Sequence, residues 1–207
     1  MGSDKKEEVI EQIVNLEWQQ FQQVQNEGGR ADCQDDPETF GIMRKSQFLA
    51  WTMAALESYL EDIREAEANH WNLLTEKYAR MMESTAPKQY AELAKWMPVR
   101  SGERIQIQEE MIRMKLRWEE EFAEEYPNLA GRGRLLYTSQ DTPWDTSLET
   151  YARGELGTYS DRTIRLLKEM YDRMEEKGEN LTYRIMDYMV RFYGYQSLKQ
   201  AEERHGK

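Results

Sequence analysis

The chain has 207 residues, of which 39% are hydrophobic and 11% aromatic, so it is long and apolar enough to bury a sizeable core. Its 39 acidic and 28 basic residues give a formal net charge of −11, and no basic block stands out. Because this charge has the wrong sign for a phosphate backbone, nucleic acid is not an expected partner.

The single cysteine, Cys33, excludes an internal disulfide and a cysteine-rich zinc site, and it fits a reducing cytosol. The N-terminal segment 1–7 has no apolar core, so no secretory signal is expected. No apolar run approaches the roughly 20 residues that a membrane-spanning helix needs. These features predict a cytoplasmic protein without a membrane partner.

Helical periodicity continues along most of the chain. The longer predicted helices cover approximately residues 6–25, 37–51, 52–68, 72–84, 103–125, 161–177 and 181–193, with one more beginning at Thr146 and short segments opening at Pro87 and Ser197. The first should end at Gly28-Gly29, as a left-handed C-terminal cap. Thr52 is a candidate N-cap for the third helix. The alternative is that residues 37–68 form one long kinked helix.

Residues 127–145 form the longest irregular connection of the predicted fold, and loops of this length are often functional. A capping box, Thr146 to Glu149, then begins the next helix. The chain shows no alternating strand pattern, internal repeat or low-complexity tract. We therefore predict an all-α fold, with residues 1–207 in a single compact domain of about seven to nine helices and no sheet.

Two carboxylates interrupt apolar helical stripes. Glu17 falls between Ile13 and Phe21, and Glu155 falls between Ala152 and Tyr159. An isolated buried charge is too costly, so each needs a partner. If two helices bring them together, their surroundings can separate their pKa values into an acid and a base. We expect both within about 12 Å on one pocket; a structural ion pair or a wet groove is the alternative for Glu17.

The polar stretch 26–36 after the first helix is a candidate binding loop. Arg30 follows two glycines and can present its guanidinium to a carboxylate or phosphate; the alternative is an ion pair with Glu17 or Glu27. Cys33 is a candidate thiol whose pKa Arg30 would lower, but a buried Cys33 is favoured because nearby aspartates oppose a thiolate. We expect this loop and the loop before Thr146 to meet over one pocket, with Arg30 supplying positive charge and Trp144-Asp145 closing the other side.

The candidate catalytic residues are therefore Glu17 and Glu155. The candidate substrate-binding residues are Glu27, Arg30, Cys33, Gln47, Trp51, Tyr78, Trp144 and Asp145. Glu67 and His70 match one Glu-x-x-His element of a di-iron bundle, but that site needs two copies and the other histidine, His205, lies in the tail. No metal and no cofactor are predicted.

Four sequence segments resemble a bacterial family known as domain of unknown function 4125. They are Asn-Glu-Gly-Gly-Arg-Ala-x-Cys-Gln at 26–34, Phe-x-Ile-Met-Arg-x-Ser-Gln-Phe at 40–48, Glu-Lys-Tyr-Ala-Arg-Met-Met-Glu-Ser-Thr at 76–85 and Trp-Asp-Thr-Ser-x-Glu-Thr-Tyr at 144–151. The resemblance covers most of the chain. It implies many bacterial relatives and no particular activity.

The leading functional hypothesis is a cytosolic enzyme that acts on a small polar or anionic metabolite by general acid–base chemistry, as lyases and isomerases do. The first alternative is a non-catalytic small-molecule binding protein using the same pocket. The second is a helical interaction module whose polar segments form a partner surface. A closed pocket with convergent polar groups favours the first two hypotheses, and a flat exposed patch favours the third.

Overall fold

The computed structural model describes residues 2–25 and 29–206. Within these residues the chain forms eleven α-helices and three short 3₁₀ helices, without a strand. The α-helices are α1 (Gly2–Gln22), α2 (Pro37–Leu49), α3 (Met53–Ala68), α4 (Leu73–Thr85), α5 (Pro87–Leu93), α6 (Gly102–Glu125), α7 (Pro127–Ala130), α8 (Leu148–Thr158), α9 (Asp161–Glu176), α10 (Leu181–Phe192) and α11 (Leu198–His205). The all-α prediction is confirmed, but the count of seven to nine helices is wrong.

Short helices explain why the structure has more helices than were predicted. α7 lies inside the connection that was predicted to be irregular, and a 3₁₀ turn at Thr138–Gln140 lies further along it. Thr52 caps α3 by accepting a hydrogen bond from Ala55 N at 3.3 Å, so α2 and α3 are separate helices. None of the helices in the described part of the chain combines the length and apolar character that crossing a membrane requires.

The start of α8 differs from the capping box predicted at Thr146. Ser147 is the N-cap, and its hydroxyl accepts from Thr150 N at 3.2 Å. The Glu149 carboxylate instead accepts from Thr138 N at 2.8 Å, in the preceding connection. The prediction was one residue early, because the tertiary contact to Thr138 competes for the glutamate that a capping box would use.

The main core is formed by the apolar faces of α1, α2, α3, α6, α8 and α9. Ile13, Phe48, Leu56 and Met111 are fully buried there. The carboxyl end of α8 is held against α6 by arginines: Arg104 donates to Leu156 O at 2.7 Å, and Arg100 donates to Gly157 O at 2.9 Å. Cations suit this position, because the carbonyl groups at a helix carboxyl end carry partial negative charge.

α8 packs unusually close to α4 at Gly154. A Cβ atom at this position would lie 2.8 Å from Lys77 O and 2.7 Å from Met81 Cγ, both on α4. No side chain fits there without movement, so a glycine is required by the close approach. This contact fixes the register in which α4 and α8 present their side chains to each other.

Asp141 ties the connection before α8 to both of these helices. Its carboxylate accepts from the Ser84 hydroxyl at 2.6 Å, from the Thr150 hydroxyl at 2.6 Å and from Ser147 N at 2.7 Å. Although partial burial acts to raise the pKa of Asp141, these hydrogen bonds outweigh burial and lower it. The segment around residues 131–140 is therefore anchored at its far end beside the start of α8.

We expect Gly154→Ala to lower the free energy of unfolding by about 1–3 kcal/mol, because the new methyl group must push α4 and α8 apart. The matched control is Gly41→Ala in α2, where an added Cβ meets no atom within 4 Å. That substitution should leave stability unchanged or raise it by up to about 1 kcal/mol, as alanine favours helix over glycine. Urea unfolding monitored by circular dichroism measures both, and equal stabilities of the two variants would contradict the close packing.

Candidate functional site

Arg44 on α2 joins the two glutamates that interrupt apolar stripes. Its Nη2 and Nε atoms lie 2.6 and 2.7 Å from the two carboxylate oxygens of Glu17 on α1. Its Nη1 lies 2.7 Å from Oε1 of Glu155 on α8. Since both carboxylates contact one guanidinium, they are well within the 12 Å that was expected. The cation between them is Arg44 and not Arg30.

Glu17 is fully buried and fully bonded. Its side chain has 0% exposure, and besides the two bonds from Arg44 it accepts one from the Tyr59 hydroxyl at 2.7 Å. Burial, followed by the charge of Glu17, raises the pKa of Tyr59 well above its usual value, so the phenol remains a donor. Because Glu17 has these partners and no access to solvent, it forms a structural ion pair with Arg44. A structural ion pair was the alternative considered for Glu17 from the sequence.

Glu155 lies nearer the surface than Glu17. Burial alone would raise the pKa of Glu155, but the charges of Arg44 and Lys77 outweigh it and lower the pKa to about 2. Its buried Oε1 forms a salt bridge with Arg44 Nη1 at 2.7 Å. Glu155 is therefore a carboxylate that two cations hold ionised, and its Oε1 is shielded from solvent.

Lys77 is the second buried cation of the cluster. Only 4% of it is exposed, and its ammonium donates to the Tyr151 hydroxyl at 2.5 Å. Burial acts to lower the pKa of Lys77, but the electrostatic effects of Tyr151 and Glu155 outweigh it and raise the pKa. A charged donor at this distance stabilises negative charge that develops on the phenol oxygen.

The charges of the four residues described above cancel one another. Glu17 and Glu155 carry two negative charges, and Arg44 and Lys77 carry two positive ones. Gln47 accepts from Arg44 Nη1 at 2.9 Å, so the guanidinium is bonded on three sides. The Arg44 guanidinium carbon also lies 4.7 Å from the centre of the Phe48 ring. We call these four charged residues together with Tyr59, Gln47 and Tyr151 the ionic cluster.

A cleft of about 1040 Å³ opens over the outer side of the ionic cluster. It lies between α2, α6, α8 and α10, and the connection from α7 to α8 forms one of its walls. Arg44, Gln47, Tyr151 and Glu155 line its polar part. Its volume is at the upper end for ligand pockets, which are commonly about 300–1,000 Å³.

Glu119 on α6 adds a second titrating group to the cleft wall. Burial raises the pKa of this carboxyl, while the charge of Lys115 and a hydrogen bond from Thr182 act in the opposite direction. The cleft thus contains one carboxylate held ionised, Glu155, and one whose protonated form is favoured relative to an ordinary glutamate. Carboxyl groups separated in this way can divide the acid and base roles of a reaction.

Residues 29–36, the described part of the loop after α1, do not line this cleft. Arg30 binds Asp35 at 2.8 Å and donates to Gln34 O at 2.7 Å. Gln34 in turn donates to Phe21 O and Val24 O, which are carbonyls at the end of α1. In the described residues 29–36 the loop therefore acts as a cap on α1. None of residues 29–36 lines the cleft, so for the described residues the prediction that the loop meets the 127–145 connection over this pocket is wrong.

Several other candidate positions also lie elsewhere. Cys33 is exposed, so the prediction that it is buried is wrong. Trp51 belongs to the core, where its ring lies 5.1 Å from Phe48. Tyr78 stacks on Phe21 with 6.2 Å between ring centres, and burial raises its pKa to about 12. Glu27 and the predicted Gly28 cap fall outside the described residues, and α1 ends earlier, at Gln22.

Trp144 and Asp145 do not close the pocket of the two glutamates, as had been expected. Trp144 is 91% exposed. Together they line a separate hollow of about 400 Å³ beside Arg134 and Thr146. Among the described residues, no three His, Cys, Asp or Glu side chains are grouped to hold a metal ion, and Glu67 and His70 are both exposed.

Sequence reasoning missed the two cations of the ionic cluster, although both leave a signal. Arg44 stands between Phe40 and Phe48 at four-residue spacing. Lys77 similarly stands between Leu74 and Met81. These are the same interruptions of an apolar face that identified Glu17 and Glu155. Searching for basic as well as acidic interruptions would have found all four charged groups.

The chain belongs to the family described as "Protein of unknown function (DUF4125)", whose model matches residues 7–203. This match confirms the resemblance carried by the four sequence segments. No curated protein and no solved structure matches the chain. The family description assigns no activity, so a functional proposal has to come from the geometry of the cleft.

We expect Glu17→Gln to lower the free energy of unfolding by about 3–5 kcal/mol, because it leaves Arg44 short of one buried counter-charge. The control is Glu11→Gln on the same helix, whose exposed carboxylate lies 3.8 Å from Lys45. A surface pair of this kind contributes at most about 1 kcal/mol. Thermal and urea unfolding compare the two, and a Glu17→Gln variant as stable as the control would refute the structural role.

The unfolding free energy should depend on Glu155 between about pH 4.5 and pH 2. Because the folded pKa of about 2 is below the ordinary value of 4.5, the ionised carboxylate stabilises the fold above pH 4.5. This contribution is lost as the pH falls through 2, where the folded protein also takes up the proton. Urea unfolding across this range should show a shallower pH dependence for Glu155→Gln than for the wild type. Parallel stability curves for the wild type and Glu155→Gln would contradict this prediction.

Proposed function

We propose that this chain, a member of the family of unknown function 4125, is a cytoplasmic enzyme that acts on a polar or anionic small molecule by acid–base chemistry. The reaction takes place in the cleft between α2, α6, α8 and α10. The supporting observation is the Lys77–Tyr151 pair, in which a buried ammonium donates at 2.5 Å to a hydroxyl on the cleft wall. Neither nucleic acid nor a membrane is among the partners that we propose.

Tyr151 is the group best placed to transfer a proton. The positive charge of Lys77 stabilises its oxygen when a proton leaves, and the hydroxyl becomes a donor again when the proton returns. A lyase or an isomerase needs this alternation, because each removes a proton from the substrate and delivers one to an intermediate or product. Lys77 is a positioning residue here, since it is buried behind Tyr151.

The glutamates take other roles than the catalytic ones first assigned to them. Glu17 is not exposed to the cleft and holds Arg44 in place. Glu155 remains ionised, so it is a weak base near neutral pH, and its role is to hold the charges of Arg44 and Lys77 beside the cleft. Glu119 lines the same cleft as Tyr151 and burial raises its pKa, so we propose it as a second proton-transfer group.

A non-catalytic binding protein is the second candidate function. It is favoured by the charge balance of the ionic cluster, because groups held rigidly by one another orient a ligand well without reacting with it. A third candidate, an interaction module, is favoured by exposed apolar side chains on the connection between α5 and α6. Trp96 is 74% exposed and Val99 94% exposed.

Tyr151→Phe tests the enzyme proposal, because it removes only the hydroxyl and keeps the ring. Purified protein is incubated with a small-molecule cell extract, and the composition is followed by mass spectrometry. We expect the wild type to convert a compound that Tyr151→Phe converts about 10²–10⁴-fold more slowly. The control is Tyr188→Phe, a surface tyrosine outside the cleft. Equal conversion by Tyr151→Phe would refute the role of the hydroxyl, and retention of a compound without conversion would favour the binding protein.

A further inference from the structure

The charges of the cleft wall indicate what kind of molecule enters it. The ionic cluster is neutral as a whole, because Glu17 and Glu155 are balanced by Arg44 and Lys77. The remaining charged groups on the wall are Lys115, Arg132 and Arg134 against the single carboxyl of Glu119. This leaves an excess of two positive charges on a chain whose formal net charge is −11. A local positive field in an acidic protein attracts anions selectively.

Arg132 and Arg134 are the groups available to an anion. Arg132 is 3.0 Å from Nδ1 of His205, and Arg134 donates to Thr146 O at 3.1 Å. Within residues 2–25 and 29–206 these contacts are to a ring nitrogen and a carbonyl, and neither arginine forms an ion pair with a carboxylate. Most N–H groups of both guanidinium forks are thus free to bind an acidic group in a bidentate manner.

Arg134 also lies next to the proposed proton-transfer group. Its guanidinium carbon is 4.6 Å from the centre of the Tyr151 ring, on which it stacks. An acidic group bound to Arg134 is therefore held at the same part of the cleft as the Tyr151 hydroxyl. The anion then serves as the anchor that orients the rest of the ligand.

The other part of the cleft is apolar. Phe122 and Leu129 form its base at the small second core, and Met186 and Met189 on α10 form a half-buried wall. Methionine side chains adapt to irregular apolar ligands, because they are flexible and polarisable. A compact polar metabolite would not need an apolar surface of this extent beside the charged end of the cleft.

We infer that the cleft takes an anionic amphiphile, whose acidic group binds Arg132 and Arg134 and whose apolar body lies along α6 and α10. The acidic group is a carboxylate or a phosphate, which share the geometry that an arginine fork recognises. This inference rests on the proposed function for the position of the site, and it names the class of molecule that the site accepts. It does not depend on whether Tyr151 transfers a proton.

The test measures binding of four probes to the full chain by isothermal titration calorimetry: decanoate, decyl phosphate, the uncharged decanol, and acetate. Concentrations stay below micelle formation. We expect decanoate or decyl phosphate to bind at least about tenfold more tightly than decanol, and acetate to bind still more weakly. The acid that binds more tightly identifies the head group.

The deciding variant is Arg132→Ala combined with Arg134→Ala. It should weaken binding of the acidic probe about tenfold and leave decanol binding unchanged. The matched control is Arg117→Ala combined with Arg162→Ala, which removes the same charge from exposed arginines paired with Glu175 and Glu61. That control should bind like the wild type, because neither arginine lines the cleft.

Three results would overturn the inference: no acidic probe binds, decanol binds as tightly as the acids, or the two double variants behave alike. A second variant, Met186→Gln, checks the apolar wall and should weaken decanoate and decanol together. Failure of the proposed function looks different. In that case the acidic probes bind as described, while Tyr151→Phe converts compounds as fast as the wild type or the wild type converts none.

Discussion

The position of every group in the cleft depends on the Arg44 guanidinium. It binds Glu17 through two nitrogens and contacts Glu155 through the third, so α1, α2 and α8 are joined at one planar group. Glu155 and Glu17 raise the pKa of Arg44 well above its usual value, although burial opposes this, so the charge is permanent. Removing the cation would leave two uncompensated carboxylates in the core, which is far more destabilising than the loss of a surface pair.

The close packing of α4 on α8 supplies the other half of the charge balance. Because Gly154 has no side chain, Lys77 on α4 comes near enough to reach Tyr151 on α8. The same approach lets Lys77 act on Glu155, which lies one helical turn from Tyr151. A backbone requirement at one glycine thus determines the electrostatics of two side chains. Stability and the proposed chemistry therefore rest on the same contact.

Local signals predicted the helices well, and they predicted the site only in part. Apolar stripes and capping residues correctly predicted the start of α2 at Pro37 and the N-cap of α3 at Thr52, because helix starts depend on residues that are close in sequence. Glu17 and Glu155 were found because a charge on an apolar face requires a partner. Which cation each would bind depends on how the helices pack, and so the sequence pointed to Arg30 and Arg44 was missed. Composition made the loop 26–36 a candidate site, whereas in its described part Gln34 caps the end of α1.

Depth below the surface separates the roles of the charged groups. Glu17 lies deepest, accepts three hydrogen bonds from Arg44 and Tyr59, and has no exposed surface to offer a ligand. Glu155 lies higher, where it lines the cleft and binds Arg44, and Tyr151 on the cleft wall has its hydroxyl oriented by Lys77. A rigid layer below and a contacting layer above is the arrangement that preorganises a site, because the lower groups hold the upper ones in position. Substitutions should accordingly affect mainly stability at Glu17 and mainly ligand chemistry at Tyr151.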